Sequence, residues 1–172
     1  MESALVSGDT AWVLTSAALV LLMVPGLAFF YGGMVRSASV LNMLMMVIAS
    51  TLVVGVLWVA FGYSVAFGGD PDGSPLLGSP TQFAFLTDLL VDADAGSLPT
   101  MAFVAFQAMF ACVTVGLIAG SVADRMKFSA WIAFAIAWAT LVYFPVAHWV
   151  WAPGGWIYRL GVIDFAGGTA VH

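Results

Sequence analysis

Asp164-Phe-Ala-Gly-Gly-Thr-Ala-Val-His172 sets a carboxylate and an imidazole at the two ends of a stretch that is otherwise small and apolar. The sequence around it decides how to read it. The chain is 63% hydrophobic and only 8% charged, against about 25% charged residues in an average soluble domain. That balance predicts an all-α, polytopic transmembrane helical bundle. If the closing stretch opens one more helix, Asp164 lies near the water interface. His172 then lies roughly 12 Å deeper at about 1.5 Å per residue, near the middle of a hydrocarbon core about 30 Å thick. An ionisable group at that depth marks, by default, a route for an ion or a proton. The competing reading is a histidine packed between helices with both ring nitrogens satisfied.

Working outward, apolar runs predict membrane helices at about 10–34, 41–67, 100–122 and 128–148, with the start of a fifth at 162–172. Asp9-Thr10 offers a cap for the first. Pro25-Gly26 interrupts that run, which a membrane bundle tolerates where neighbours re-satisfy the backbone. Residues 68–97 change character, with Gly, Pro, Ser and the acids Asp70, Asp72, Asp88, Asp92 and Asp94. They read as a polar loop outside the membrane, with a short interfacial helix at 83–90. Arg36, Arg125 and Lys127 follow the first and third runs, whereas Arg159 follows the fourth. Cytoplasmic loops carry the Lys/Arg excess. The expected protein is therefore multi-pass in the cell membrane, with its N-terminus and the 68–97 loop on the extracellular or periplasmic side.

The function classes excluded are equally informative. A net charge of −5 argues against nucleic acid as a partner. Met1–Asp9 has acids but no basic segment of the kind that opens a signal peptide. Cys112, the lone cysteine, makes no intrachain disulfide. No phosphate-binding glycine loop, Cys/His metal spacing or nucleophile–base pair appears, so neither an enzyme nor a cofactor is implied. Gly116-Leu-Ile-Ala-Gly120 is a small-xxx-small pattern that lets two helices approach closely.

The aromatic residues suggest what the buried histidine serves. Trp149, Trp151 and Trp156 cluster before the last stretch, and Phe106 and Phe110 lie in the third run. Ring faces attract cations by roughly 2 kcal/mol when desolvated, and Asp164 adds negative potential. A hard ion then needs a lining of carbonyls or charges to cross, which the runs do not supply. An ion that sheds its proton crosses as a neutral molecule, and an imidazole suits that traffic because each nitrogen donates or accepts. Taken singly, each Trp also reads as an interfacial belt residue and each Phe as a core or lipid contact.

Four stretches carry a resemblance. They are Pro25-Gly-Leu-Ala-Phe-Phe-Tyr-Gly-Gly-Met-Val-Arg36, Phe106-Gln-Ala-Met-Phe-Ala-Cys-Val-Thr-Val-Gly-Leu-Ile-Ala-Gly120, Phe144-Pro-Val-Ala-His-Trp-Val-Trp151 and the Asp164–His172 segment. Together they resemble the N-terminal half of the ammonium transporter family (Amt/Mep/Rh), in its bacterial and archaeal Amt branch. The resemblance implies eleven transmembrane helices built as two inverted five-helix repeats, a plan that places sites near the midplane. It also implies a homotrimer with one pore per subunit. By the same resemblance, Trp151 with Phe106 or Phe110 forms an external ammonium vestibule, and Phe110 is the first of two gating phenylalanines. His172 is the first of two pore histidines, and Asp164 is the vestibule aspartate, with a role more structural than ligating. Implied partners are ammonium and ammonia, methylammonium as an analogue, and a P-II-type regulatory protein at the cytoplasmic face.

The chain stops at the first of those histidines, so it reads as a fragment of a longer transporter whose second repeat lies beyond it. The alternative is an ammonium sensor, an Amt-type domain fused to a signalling domain. An Rh-type gas channel fits less well, because such members lack the tryptophan matched by Trp151. An unrelated polytopic protein with a structural histidine fits less well still.

Overall fold

The computed structural model describes residues 6–69, 72–89 and 98–172. Asp70, Asp92 and Asp94 of the acidic loop lie outside them. The described chain is helical, without a strand. Four segments are long and apolar enough to cross a membrane: Ser7–Met34, Ser37–Phe67, Thr100–Val122 and Phe128–Arg159. In chain order the helices are α1 (Ser7–Met34), α2 (Val40–Leu57), α3 (Tyr63–Phe67), α4 (Thr100–Ile118), α5 (Phe128–Trp138), α6 (Phe144–Trp151) and α7 (Trp156–Arg159). The α1, α2 and α4 helices pack on one another. On the far side α5 packs on α2, and α6 packs on α3. Large side chains such as Trp12, Leu22, Phe29, Leu41, Leu52 and Leu141 point outward, which a hydrocarbon solvent permits and water does not.

One device recurs between the helices. Trp58 donates its indole N–H to the Val104 carbonyl at 3.2 Å. Trp131 donates to the Met46 carbonyl at 2.8 Å, and the Tyr31 hydroxyl donates to the Leu117 carbonyl at 2.9 Å. A polar ring atom inside an apolar bundle must find a partner. A helical carbonyl supplies one through its second lone pair. Each such bond ties two segments together: the first residue past α2 to α4, α5 to α2 and α1 to α4.

The two glycines of the small-residue pattern, Gly116 on α4 and Gly120 in the 3-10 turn Ala119–Val122 that follows it, do different things. A Cβ on Gly120 would come within 2.6 Å of Cζ of Tyr31, whereas one on Gly116 would meet Leu27 and Val47 at the ordinary distances of 3.5 and 3.6 Å. Gly120→Ala is therefore expected to push Tyr31 off the Leu117 carbonyl and to cost about 1–3 kcal/mol. Gly116→Ala is expected to be close to neutral. Thermal unfolding of the two variants side by side in one detergent checks the difference, and equal melting shifts would count against it.

Two π-turns interrupt the helices, Trp58–Gly62 between α2 and α3 and Ala139–Tyr143 between α5 and α6. Each inserts a residue into the α register and so rotates the next helix by about 100°. They meet at Phe144, which is fully buried. Its ring lies 5.8 Å from that of Trp58, 5.9 Å from Phe61 and 6.1 Å from Tyr143. This contact sets the direction in which α6 presents its side chains.

At one end of the bundle Arg36 pairs with Asp124 at 3.2 Å, clasping the α1–α2 connection to the α4–α5 connection. The Ser39 hydroxyl and then Arg36 hold the Asp124 carboxyl below its usual range. That contribution is present above the ordinary carboxylate range and is lost as pH falls.

Three sequence expectations change. Asp9-Thr10 caps nothing, because α1 already begins at Ser7 with Val6 at its N-cap. Over its described residues, 83–89, the 83–90 segment forms no interfacial helix. Its described part is a single 3-10 turn, Ala84–Leu86, with Phe85, Leu86 and Asp88 at positive φ. Residues 162–172 form no continuous α-helix either: a 3-10 turn at Phe165–Gly167 is followed by one further turn. Ala166 at φ 52° and Gly167 at φ 73° lie in the left-handed region, which breaks the helical path there.

Candidate functional site

The site grows from one face of α4. Phe106, Phe110, Thr114, Leu117 and Ser121 recur at intervals of three or four residues, so they share a face. The upper part of that face is aromatic. Phe106 and Phe110 meet edge to face with centroids 4.9 Å apart, and Phe110 meets Trp151 of α6 at 6.5 Å, again edge to face. All three rings are half-buried. Trp151 reaches this position because it lies two turns beyond the π-turn that rotates α6.

Asp164 completes the cluster. Its Oδ2 accepts the Trp151 indole N–H at 3.0 Å, and its Oδ1 accepts the Thr169 backbone N–H at 2.7 Å. The carboxylate thus joins Trp151 to the closing stretch. That stretch turns tightly at Gly167, whose carbonyl accepts the N–H groups of Val171 at 2.8 Å and His172 at 3.1 Å. Only glycine suits this position without strain. Its φ is positive, and a Cβ would lie 2.8 Å from Cγ2 of Val171.

The lower part of the same α4 face borders His172. A groove of about 540 Å³ is lined by Thr114, Ile118, Ser121, Trp138, Val171 and His172, among others. His172 itself is exposed. Thr114 ties the two parts together, because its hydroxyl donates to the Phe110 carbonyl one turn above, at 2.6 Å.

Four of the five candidate residues, Phe106, Phe110, Trp151 and Asp164, therefore form one connected cluster. His172 stands in the adjoining groove on the same face of α4. Trp149 and Trp156 do not join them. They meet each other at 6.1 Å, and Trp149 donates to the Leu76 carbonyl. Sequence reasoning missed Thr114 and Trp138. Thr114 was recoverable from the four-residue spacing after Phe106 and Phe110, whereas Trp138 carries no local signal. Among the described residues no group of three metal-ligating side chains comes together.

Fold and site define a multi-pass membrane protein with an aromatic cluster on α4 and α6 and a histidine-bordered groove beside it. The profile of the Ammonium Transporter Family matches residues 11–172, and the chain belongs to that family. It is 58% identical to an ammonium transporter of Mycobacterium tuberculosis strain H37Rv over 96% of this chain and 39% of that protein. It is 48% identical to one of Aquifex aeolicus over 99% of this chain and 40% of that protein. The crystal structure of Candida albicans Mep2 superposes with a TM-score of 0.87 at 34% identity, covering 98% of this chain and 36% of that one. A structure described as a sensor Amt protein gives a TM-score of 0.85 at 28% identity, over 95% and 40% of the two chains. The family is one of transport and not of enzymes. The chain spans about two-fifths of the length of these relatives.

Proposed function

We propose that the full-length protein conducts ammonia after capturing ammonium at the recess formed by Phe106, Phe110 and Trp151. The observation that carries this reading is the continuity of one α4 face. It runs from the aromatic cluster, through Thr114, to the groove that His172 borders. Ring faces hold a monovalent cation without anionic ligands, by about 0.5–2 kcal/mol when partly exposed. The Asp164 carboxylate adds negative potential, although both its oxygens already have partners. The groove below mixes apolar side chains with the hydroxyls of Thr114, Ser121 and Thr169 and carries no carboxylate to hold a cation, so what enters is neutral ammonia, with the proton left behind. His172 offers it an imidazole nitrogen. The remainder of the protein closes the groove into a pore, and the subunits assemble as a homotrimer in the cell membrane. The N-terminus and the 72–89 segment face outside, following the Lys/Arg excess near Arg36, Arg125 and Lys127. A P-II-type regulator would meet the end that bears Arg125 and Lys127.

Trp151→Leu in the full-length protein tests the recess. Half-saturation for methylammonium is expected to rise by roughly 2- to 30-fold, the equivalent of one lost ring contact. Unchanged half-saturation and unchanged discrimination against potassium would return Trp151 to a packing role. The second reading, an ammonium sensor, is favoured by the likeness to the sensor Amt structure. A signalling domain fused to the full-length protein, with the recess intact and uptake absent, would decide for it.

A further inference from the structure

His148 belongs to none of the sites above, yet it is buried, with 2% of its surface exposed. Its Nδ1 lies 3.0 Å from the Ala66 carbonyl oxygen and its Nε2 lies 3.1 Å from the Ser74 carbonyl oxygen. Carbonyl oxygens only accept. A neutral imidazole has one N–H and one lone pair, so it satisfies one of these carbonyls and points a lone pair at the other. Only the ring with protons on both nitrogens makes both bonds.

Two helix ends meet at this ring. Ala66 is the penultimate residue of α3, and His148 is in the last turn of α6. Two helix C-termini thus bring partial negative charge to the ring. The Ser74 bond is also one of a row. The carbonyls of Gly73, Pro75 and Leu76 accept in turn from Arg159 Nη2, the Trp156 backbone N–H and Trp149 Nε1, and His148 Nε2 lies against the Ser74 carbonyl among them. This row fastens the 73–76 segment to the end of the span that carries Trp151.

We propose that His148 is a positioning residue that works as a proton-operated latch on this segment. Doubly protonated, it clasps α3 and the 73–76 segment together; singly protonated, it releases one of them. The described ionisable groups on the elements packed around it are Arg159 and Tyr158 on α7, Tyr63 on α3 and Tyr143 on the π-turn before α6, with Asp72 just ahead of the 73–76 segment. Arg159 opposes a second positive charge and Asp72 favours it, while Tyr63 stays neutral across the range in which an imidazole titrates. The latch is closed at low pH and opens as pH rises.

The test reads protons and amide exchange, not uptake, so its failure is separate from any failure of the transport reading. Full-length protein in lipid vesicles is labelled with ¹⁵N in the histidine rings and ¹³C in the alanine and serine carbonyls. One ring is expected to show two protonated nitrogens at low pH, each dipole-coupled to a labelled carbonyl. Raising the pH from about 5 to 8 should remove one of the two. The Leu77 and Gly78 amides, which bond to Ser74 Oγ and to the Val65 carbonyl, should then exchange roughly tenfold faster, as expected for one lost charge-assisted bond. In His148→Gln that pH dependence should vanish. A ring with one N–H throughout, or a lost proton without faster exchange, overturns the proposal. Should the variant fail to fold, the wild-type spectra decide alone.

Discussion

Asp164→Ala in the full-length protein is expected to lower methylammonium uptake by about 100-fold while leaving the four spans folded. The carboxylate holds two things at once, the Trp151 indole through Oδ2 and the Thr169 backbone through Oδ1. Hydrogen bonds to a charged acceptor are worth about 1.5–3 kcal/mol each, so losing both removes roughly 3–6 kcal/mol of positioning. A factor of 100 needs about 2.7 kcal/mol. The residue is half-buried, and solvent screening trims the charged part of that figure, which leaves a loss near the lower end of the range, about what a 100-fold drop requires. The lesion should be local, because neither partner of Asp164 is among the fully buried side chains such as Trp58, Trp131 and Phe144.

Asp164→Asn separates geometry from shape. An amide has one acceptor and one donor group, whereas the site offers two donors, so one bond becomes a donor–donor contact. Asn should therefore fail nearly as badly as Ala. A double-mutant cycle with Trp151→Phe then isolates the coupling, since Phe keeps a ring but loses the N–H. If Asp164 acts by holding Trp151, the double variant will be no worse than Asp164→Ala alone. Near-normal uptake by Asp164→Asn would show instead that one of the two bonds is dispensable, because the amide oxygen still accepts the other. Uptake rate and melting temperature, measured on the same preparations, distinguish a lost site from a lost fold.

The bundle was legible from composition and run length, because hydrocarbon imposes one rule on the backbone and the apolar runs from Ala11, Leu41, Thr100 and Phe128 obey it. Phe106 and Phe110 share a helix face by spacing alone. Trp151 was harder. Counted from Phe128 on a regular helix, it would face about 100° away from its observed direction, because the π-turn at Ala139–Tyr143 adds a residue. Nothing in Ala-Thr-Leu-Val-Tyr announces that turn. The bend at Ala166-Gly167 was equally hidden, since two adjacent glycines permit a helix as readily as a break. The clasp of His148 on two carbonyls needs partners 82 and 74 residues away, and such pairs leave no local trace.

The largest effect on stability is expected at Gly62. A Cβ there would lie 2.5 Å from Cζ of Phe144 and 2.8 and 2.9 Å from its Cε atoms. The ring cannot turn aside, because Phe144 is fully buried and boxed in by Trp58, Phe61 and Tyr143. Relief requires α3 and α6 to separate, which breaks the contact between the two π-turns. Overpacking of this kind costs typically about 1–3 kcal/mol, and Gly62→Val, with two further methyl groups, should exceed that range. Because α6 carries both His148 and Trp151, the displacement should also loosen the recess, so Gly62→Ala is expected to lose uptake before it loses the fold. Rescue tests the cause. Phe144→Leu removes the ring edge that a Cβ at position 62 would strike, so the double variant Gly62→Ala/Phe144→Leu should melt higher than Gly62→Ala alone, although Phe144→Leu by itself destabilises. Strictly additive melting shifts would mean that Gly62 is needed for the backbone of the π-turn and not for the approach of the ring.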